Sequence, residues 1–156
     1  MTEDTRGTRA AEAAGLSFSV VRTERPSSAE ESAEWQGLEL RQLLRSIVIR
    51  RGADDYVFVL VPGGRQISWP KLRTHLGVKR LSLPDQDEAK EATGYERGAI
   101  TPFGSSTAWP VIADSTVTDV ELVAIGAGER GVNLHVDPVA MVAALGAEVV
   151  DVSDPA

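Results

Sequence analysis

Residues 93–104 read TGYERGAITPFG. Three glycines, two threonines, Pro102 and three large apolar residues (Tyr95, Ile100, Phe103) share these positions, and no helix or strand period fits them. A plain connection needs only about 4–6 residues, so the run reads as a working loop. The chemistry it offers belongs to the main chain. Gly98 lets the backbone approach a ligand closely and adopt φ > 0, and Pro102 fixes φ and removes one donor at the other end. The N–H groups between them can face an oxygen that gains negative charge during reaction. The bland alternative is a structural Gly/Pro loop.

Side-chain chemistry has little to stand on. The chain has no cysteine, hence no thiolate nucleophile, no disulfide and no Cys-based zinc site. Its two histidines, His75 and His135, are far apart and outside any H-E-x-x-H pattern, so they read as surface or satisfied residues and give no metal signature. No serine sits in a G-x-S-x-G elbow. Asp54, Asp55, Asp85 and Asp87 look like turn and first-turn acids. GAGERG (126–131) matches G-x-G-x-x-G, yet it leads into the β-like VNLHV instead of opening a helix, so it reads as a glycine-rich connection between strands. Of Trp35, Trp69 and Trp109, each able to stack a base or simply fill a core, Trp109 lies beside the loop.

The chain of 156 residues suits one domain. Its net charge of −7 argues against a general nucleic-acid binder. The charge is uneven: residues 1–40 carry four Arg and eight acids, 41–80 nine Lys/Arg and two acids, and 81–156 three basic residues and thirteen acids. The basic stretch holds Arg45, Arg50, Arg51, Arg65 and Lys71 and suits a local site for a phosphate-bearing ligand, unless these are solvated faces that mix on folding. No apolar run reaches the ~18 residues of a membrane span, and the N-terminus lacks a signal-peptide core, so a cytoplasmic protein without membrane contact is expected.

The elements that must position the loop are short. Residues 1–15 read as a disordered tail. Strands are expected at 16–23, 46–51, 56–61, around 66–69, at 79–83, in WPVIAD, VELVAI and VNLHV, and last in AEVVDV. Helices are expected after Ser27 or Ser28, briefly over 38–45, from Pro70 to Gly77, from Pro84 with acids in its first turn, and from Asp137 to Gly146. Strands in succession with interspersed helices indicate an α+β (mixed α/β) fold with a mixed, curled sheet.

The ordered series LRSIVIRRG, YVFVLVPGGRQISWPKLRTHLG, LSLP, TGYERGAITPFG, GAGERGVNLHVDP and LGAEVVDV resembles the YbaK / prolyl-tRNA-synthetase-associated editing-domain family over residues 16–152. The resemblance implies a single domain with a curved, barrel-like β-sheet flanked by helices. It also implies metal-independent, cofactor-free hydrolysis of the ester joining a wrong small amino acid, such as alanine or cysteine, to tRNA. A free-standing enzyme acting in trans is expected, with a mischarged tRNA 3′ end, on tRNA-Pro or a related tRNA, and an aminoacyl-tRNA synthetase as partners. Such editing is needed because a binding pocket separates amino acids differing by one methylene by only about 1–3 kcal/mol. The G-x-x-x-P loop lines the aminoacyl pocket in that family, which carries over to Gly98, Ala99, Ile100, Thr101 and Pro102. Where many members carry a catalytic Lys in V-x-K-[ST]-L, LLRSI places Arg45. Arg is a planar fork that holds phosphate but does not shed its proton. Arg50, Arg65, Lys71, Tyr95, Phe103, Trp109, Gly126 and Gly128 are assigned to substrate binding. A binding module that lost catalysis through Arg45, and a hydrolase of another small acyl ester, are the competing readings.

Overall fold

The structure is a computed structural model and describes residues 5–156. Its elements run α1 (Arg6–Ala13), β1 (Phe18–Arg22), α2 (Ala29–Trp35), β2 (Leu44–Gly52), β3 (Asp55–Pro62), β4 (Arg65–Ile67), α3 (Trp69–Leu76), α4 (Gln86–Thr93), β5 (Val111–Asp114), β6 (Val123–Gly126), β7 (Val132–Val136), α5 (Pro138–Leu145), β8 (Glu148–Val150) and β9 (Ser153–Pro155). The fold is mixed α+β, as the sequence predicts.

The strands form three sheets, ordered β1-β7-β6, β2-β3-β5-β8 and β4-β9. The first is antiparallel, while the second combines an antiparallel β2–β3 hairpin with parallel β3–β5 and β5–β8 pairs. An isolated parallel bridge between Leu43 and Ala124 joins the two larger sheets, so their strands curve around the main core without closing into a barrel.

β3 has two buried faces, which is why it reads as a nearly continuous apolar run, whereas β2 buries its apolar residues between arginines at both ends. Leu44, Val48, Phe58 and Leu60 face the main core with Val123, Ile125, Leu134 and Met141. Ile49, Val57, Val59 and Val61 face a second core closed by Leu72 of α3, Ile112 and Val152. Each fully buried side chain of this size contributes about 1.5–3 kcal/mol relative to exposure.

The helices begin and end where capping chemistry allows. Ser28, Ser68, Asp85 and Asp137 each accept a hydrogen bond from the third residue on, and Gly77, Gly94 and Gly146 stop three helices in the left-handed region. Ser28, not Ser27, is the cap of α2, while the Ser27 N–H donates to Glu31 at 2.8 Å.

Four expectations are corrected. The disordered tail does not hold from Thr5 onward: a Thr5–Thr8 capping box starts α1, which buries Gly7, Thr8 and Ala11, while residues 1–4 lie outside the described residues. The expected helix over 38–45 is only a 3₁₀ turn at Leu40–Gln42, because Leu44 already pairs with Pro62. The expected strand 79–83 is reduced to one bridge between Ser82 and Arg50, since that stretch meets only the end of β2. AEVVDV is not the last strand, because β9 follows and pairs with β4.

Candidate active site

α4 ends at Gly94 (φ 80°), and the chain returns to the sheet only at Val111. Between them the loop is tied down from three sides. The Tyr95 ring is buried and its hydroxyl donates to the Phe103 carbonyl at 2.6 Å. Burial pushes the Tyr95 phenol up against the opposing charges of Arg6 and Arg9, which keeps it a donor. Phe103 is buried in the main core, and Thr101 is fully buried with its hydroxyl accepting from the Phe103 N–H at 3.3 Å. From α1, Arg6 donates to the Gly94 carbonyl at 3.1 Å and the Gly104 carbonyl at 2.5 Å, with its guanidinium 4.6 Å from the Tyr95 ring centre. One cation thus pins both ends of the loop.

Within this frame, Gly98 is exposed with φ 88° and Ile100 packs on the main core. The Ala99 N–H is spent on the Glu96 carbonyl at 2.9 Å, and Pro102 has none. Among the described residues, the N–H groups of Gly98, Ile100 and Thr101 donate to no protein acceptor. Three main-chain donors within four residues are therefore unspent within the protein, two of them, on Gly98 and Ile100, at residues that are not buried.

β6 and its following turn form the wall against the loop. A Cβ on Gly126 would lie 3.8 Å from the Ile100 carbonyl oxygen, and one on Gly128 would come within 2.7 Å of the Tyr95 ring. The turn also delivers Arg130, whose guanidinium donates twice to the Arg97 carbonyl, at 2.7 and 3.2 Å. Sequence reasoning passes over Arg130, although it sits inside the GAGERG run.

The structure therefore gathers Gly98, Ala99, Ile100, Thr101, Pro102, Tyr95, Phe103, Gly126 and Gly128 at one place. Tyr95 and Phe103 act there as buried anchors.

It does not bring the basic residues there. Arg45 pairs with Val61 and shares its side of the sheet with Ile47 and Ile49, whereas Ile100 and Phe103 pack on the opposite side. The Arg45 guanidinium donates to the Arg65 carbonyl. Arg65 donates to Ser153, at 2.7 Å to its hydroxyl, and lies 3.8 Å from the fully buried Asp114. Burial alone would raise the Asp114 carboxyl, but hydrogen bonds from Thr116, Val152 and Ser153 outweigh it and hold the group below its ordinary value. Lys71 binds Asp154 at 2.9 Å and Asp151 at 3.1 Å, and hydrogen bonds to these acids raise its ammonium above the usual value. Arg65 and Lys71 thus hold β9 in place.

Arg50 and Trp109 meet elsewhere, in a cavity of about 340 Å³ that no residue of 98–102 lines. There Arg50 lies 3.1 Å from Glu88, which accepts from the Tyr56 hydroxyl at 2.5 Å. That hydrogen bond and burial leave the phenol pushed up to about 12. Trp109 stands edge-on to Tyr56 at 5.1 Å and donates to the Ala92 carbonyl at 2.8 Å.

His135 bonds Gln36 at 2.9 Å, and burial lowers its pKa, so it is a neutral tie between β7 and α2. Among the described residues, no group of three His, Cys, Asp or Glu is placed to hold a metal ion, and no helix is long and apolar enough to cross a membrane.

Comparison with known proteins gives the site a context. Residues 23–144 match the family model of the aminoacyl-tRNA editing domain. The chain is 29% identical over 116 residues to a proline--tRNA ligase of Thermosipho melanesiensis, covering 74% of this chain and 20% of that protein. The chain thus spans about a fifth of the length of the ligases it matches. It is 25% identical over 114 residues to EbsC of Enterococcus faecalis, described as a candidate Cys-tRNA(Pro)/Cys-tRNA(Cys) deacylase, covering 73% of this chain and 70% of that one. A solved structure of a candidate trans-editing enzyme for prolyl tRNA synthetase superimposes with a TM-score of 0.86 at 26% identity, covering 96% of this chain and 95% of the other.

Proposed function

This chain belongs to the aminoacyl-tRNA editing domain family, and from that premise we propose that it is a cytoplasmic deacylase acting in trans on mischarged tRNA. It releases a small amino acid such as alanine or cysteine from the 3′-terminal ribose, on tRNA-Pro or a related tRNA. The observation that carries this reading is the set of unspent N–H groups on Gly98, Ile100 and Thr101 in the G-x-x-x-P loop. The relatives described as deacylase and trans-editing enzyme support the substrate class.

The ester carbonyl enters against Gly98, where the absence of a side chain lets the main chain come close. A water, or the neighbouring ribose hydroxyl, adds to the carbonyl carbon, and the carbonyl oxygen takes the negative charge. The free amides bind that oxygen at about 2.7–3.1 Å, each donor being worth about 2.7–4 kcal/mol of barrier. The bond from carbon to ribose oxygen then breaks, and the proton lost by the nucleophile ends on the departing ribose hydroxyl. When the ribose hydroxyl is the nucleophile, water completes the hydrolysis. Arg130, through the Arg97 carbonyl, fixes the start of the loop and supplies its adjacent positive charge.

A screen of purified protein, with EDTA present, against a set of mischarged tRNAs tests the proposal. Release of one or a few small amino acids is expected; intact ester across the whole set overturns it.

One observation favours a second reading, a binding module with weakened catalysis. Arg45 occupies the family's lysine slot and spends its guanidinium on the Arg65 carbonyl. Under that reading Arg45→Lys raises deacylation strongly from an inactive parent, and an active parent removes it.

A further inference from the structure

The cavity of about 340 Å³ at the end of β2 plays no part in the chemistry described above. Its volume falls in the range of small-molecule sites, and its lining carries both signs of charge. Arg50 supplies a cation, and Asp54, Glu88 and Glu91 supply carboxylates. Tyr56 and Trp109, edge to face at 5.1 Å, supply an aromatic wall.

Only part of this charge is spent within the protein. Glu88 accepts from the Tyr56 hydroxyl and has the Arg50 Nε 3.1 Å away. That Nε is buried yet makes no hydrogen bond, and among the described residues the Arg50 guanidinium donates none. Its Nη edge is therefore unspent. Among the described residues, neither Asp54 nor Glu91 has a cation within 4.0 Å.

This lining sets the class of ligand. A simple anion would face three carboxylates, and a simple cation would face a guanidinium with free donors. A molecule that carries both a carboxylate and an ammonium satisfies the two sides together. The planar Nη edge of Arg50 takes the carboxylate through two parallel N–H bonds. Glu91 and Asp54 take the ammonium, and an apolar substituent lies on the aromatic wall. An α-amino acid with an apolar side chain has that set of groups.

The cavity also stands at the root of the G-x-x-x-P loop. Ala92 and Thr107 both line it, and the loop leaves the fold between them. Across that gap the Thr93 carbonyl accepts from the Ser106 N–H at 2.9 Å, and the Ala92 carbonyl accepts from the Trp109 indole at 2.8 Å. A ligand that touches both Glu91 and Trp109 requires the two walls in place, so its binding opposes opening of the loop root.

We propose that this cavity binds a free α-amino acid with an apolar side chain, its carboxylate on Arg50 and its ammonium on Glu91 and Asp54, and that occupancy holds the loop root closed. The assignment does not depend on the deacylase reading.

The probes are L-leucine, 4-methylpentanoate, which lacks the ammonium, and 3-methylbutylamine, which lacks the carboxylate. Binding to the full chain is followed by the shift of the Trp109 indole N–H signal, with Trp35 and Trp69, which lie outside the cavity, as internal controls. Leucine is expected to saturate one site, and each truncated probe to bind about tenfold more weakly or worse. Arg50→Gln should weaken leucine about tenfold and leave 3-methylbutylamine within about twofold. Glu91→Gln, at an exposed position of α4, is the second variant should Arg50→Gln fail to fold. It should weaken leucine and leave 4-methylpentanoate unchanged. Hydrogen exchange at the Ser106 amide should slow roughly tenfold when leucine is at about ten times its Kd. A Trp109 signal that does not move by about 10 mM leucine overturns the site. So does leucine binding that survives both variants, which places the amino acid elsewhere. Tighter binding of 3-methylbutylamine than of leucine also overturns it and makes the cavity a cation site. Binding with unchanged exchange at Ser106 overturns the link to the loop. Leucine binding by a protein that leaves every mischarged tRNA intact upholds this site and removes the deacylase reading alone.

Discussion

Arg130 lies against Gly98: at φ 88°, a Cβ on Gly98 would stand 3.1 Å from the Arg130 Nε. The contact exists because the guanidinium is held by two hydrogen bonds to the carbonyl of Arg97, the residue before Gly98. A residue from the β6–β7 turn and the first residue of the G-x-x-x-P motif are thereby fixed to each other. The cation against Gly98 is Arg130, and Arg45 belongs to the other side of the sheet.

Gly98→Ala is expected to lower kcat/KM on mischarged tRNA about 10²–10³-fold, the effect of displacing one oxyanion donor. The added methyl meets Arg130 and must adopt a left-handed conformation that costs of order 1–3 kcal/mol. Single-turnover deacylation and a thermal melt separate the two effects. A melting temperature lowered by several degrees with an unchanged rate would remove the loop backbone from the mechanism.

Arg130→Ala is expected to reduce kcat/KM about tenfold or more while leaving stability within about 1 kcal/mol, because the side chain is exposed. Arg130→Lys keeps the charge but offers a point donor in place of a fork, so partial recovery is expected. Equal rates for the Ala variant and the parent would show that the Arg97 carbonyl needs no tether.

Much of this arrangement is legible in the sequence because it rests on local chemistry. Asp137 caps the helix that follows it, as its place before Pro138 predicts, and Gly98 to Pro102 forms an irregular loop for reasons visible in its own residues, whereas Ser27 and Ser28 offer equal capping boxes and only the fold selects Ser28. What is not legible depends on register and on distant partners. Which side Arg45 faces is set by its pairing with Val61, and a shift of one residue would turn it to the other side. Arg130 meets Arg97 across 33 positions of chain, and nothing in GAGERG announces the meeting. α1 reads as a polar tail because it packs through small residues: Gly7 donates to the Ala127 carbonyl at 3.1 Å, where a Cβ would come within 2.3 Å of that oxygen.

That helix also sets a prediction about loop order. Arg6 is the clamp on Gly94 and Gly104, so Arg6→Ala is expected to speed amide hydrogen exchange over 94–104 and to lower deacylation several-fold. The helices remote from the clamp, α3 and α5, should exchange as in the parent. Unaltered exchange in the loop would mean that Tyr95 and Phe103 suffice to hold it.

The acid side of the stability profile should bear the mark of Asp114. Its carboxylate is fully buried and accepts from the Val152 N–H at 3.0 Å and the Thr116 N–H at 3.1 Å, and these bonds hold its folded pKa below the unfolded value near 3.8. The unfolded chain therefore takes up the proton more readily. The stability from this group is complete above about pH 4 and disappears as pH falls through the lower folded value. Asp114→Asn removes that titration and presents amide hydrogens to groups that already donate, at a cost of about 1–3 kcal/mol. Denaturant unfolding from pH 2 to 7 is expected to show the variant destabilised near neutrality and closer to the parent toward pH 2. A gap that stays constant across that range would place the acid sensitivity on other carboxylates.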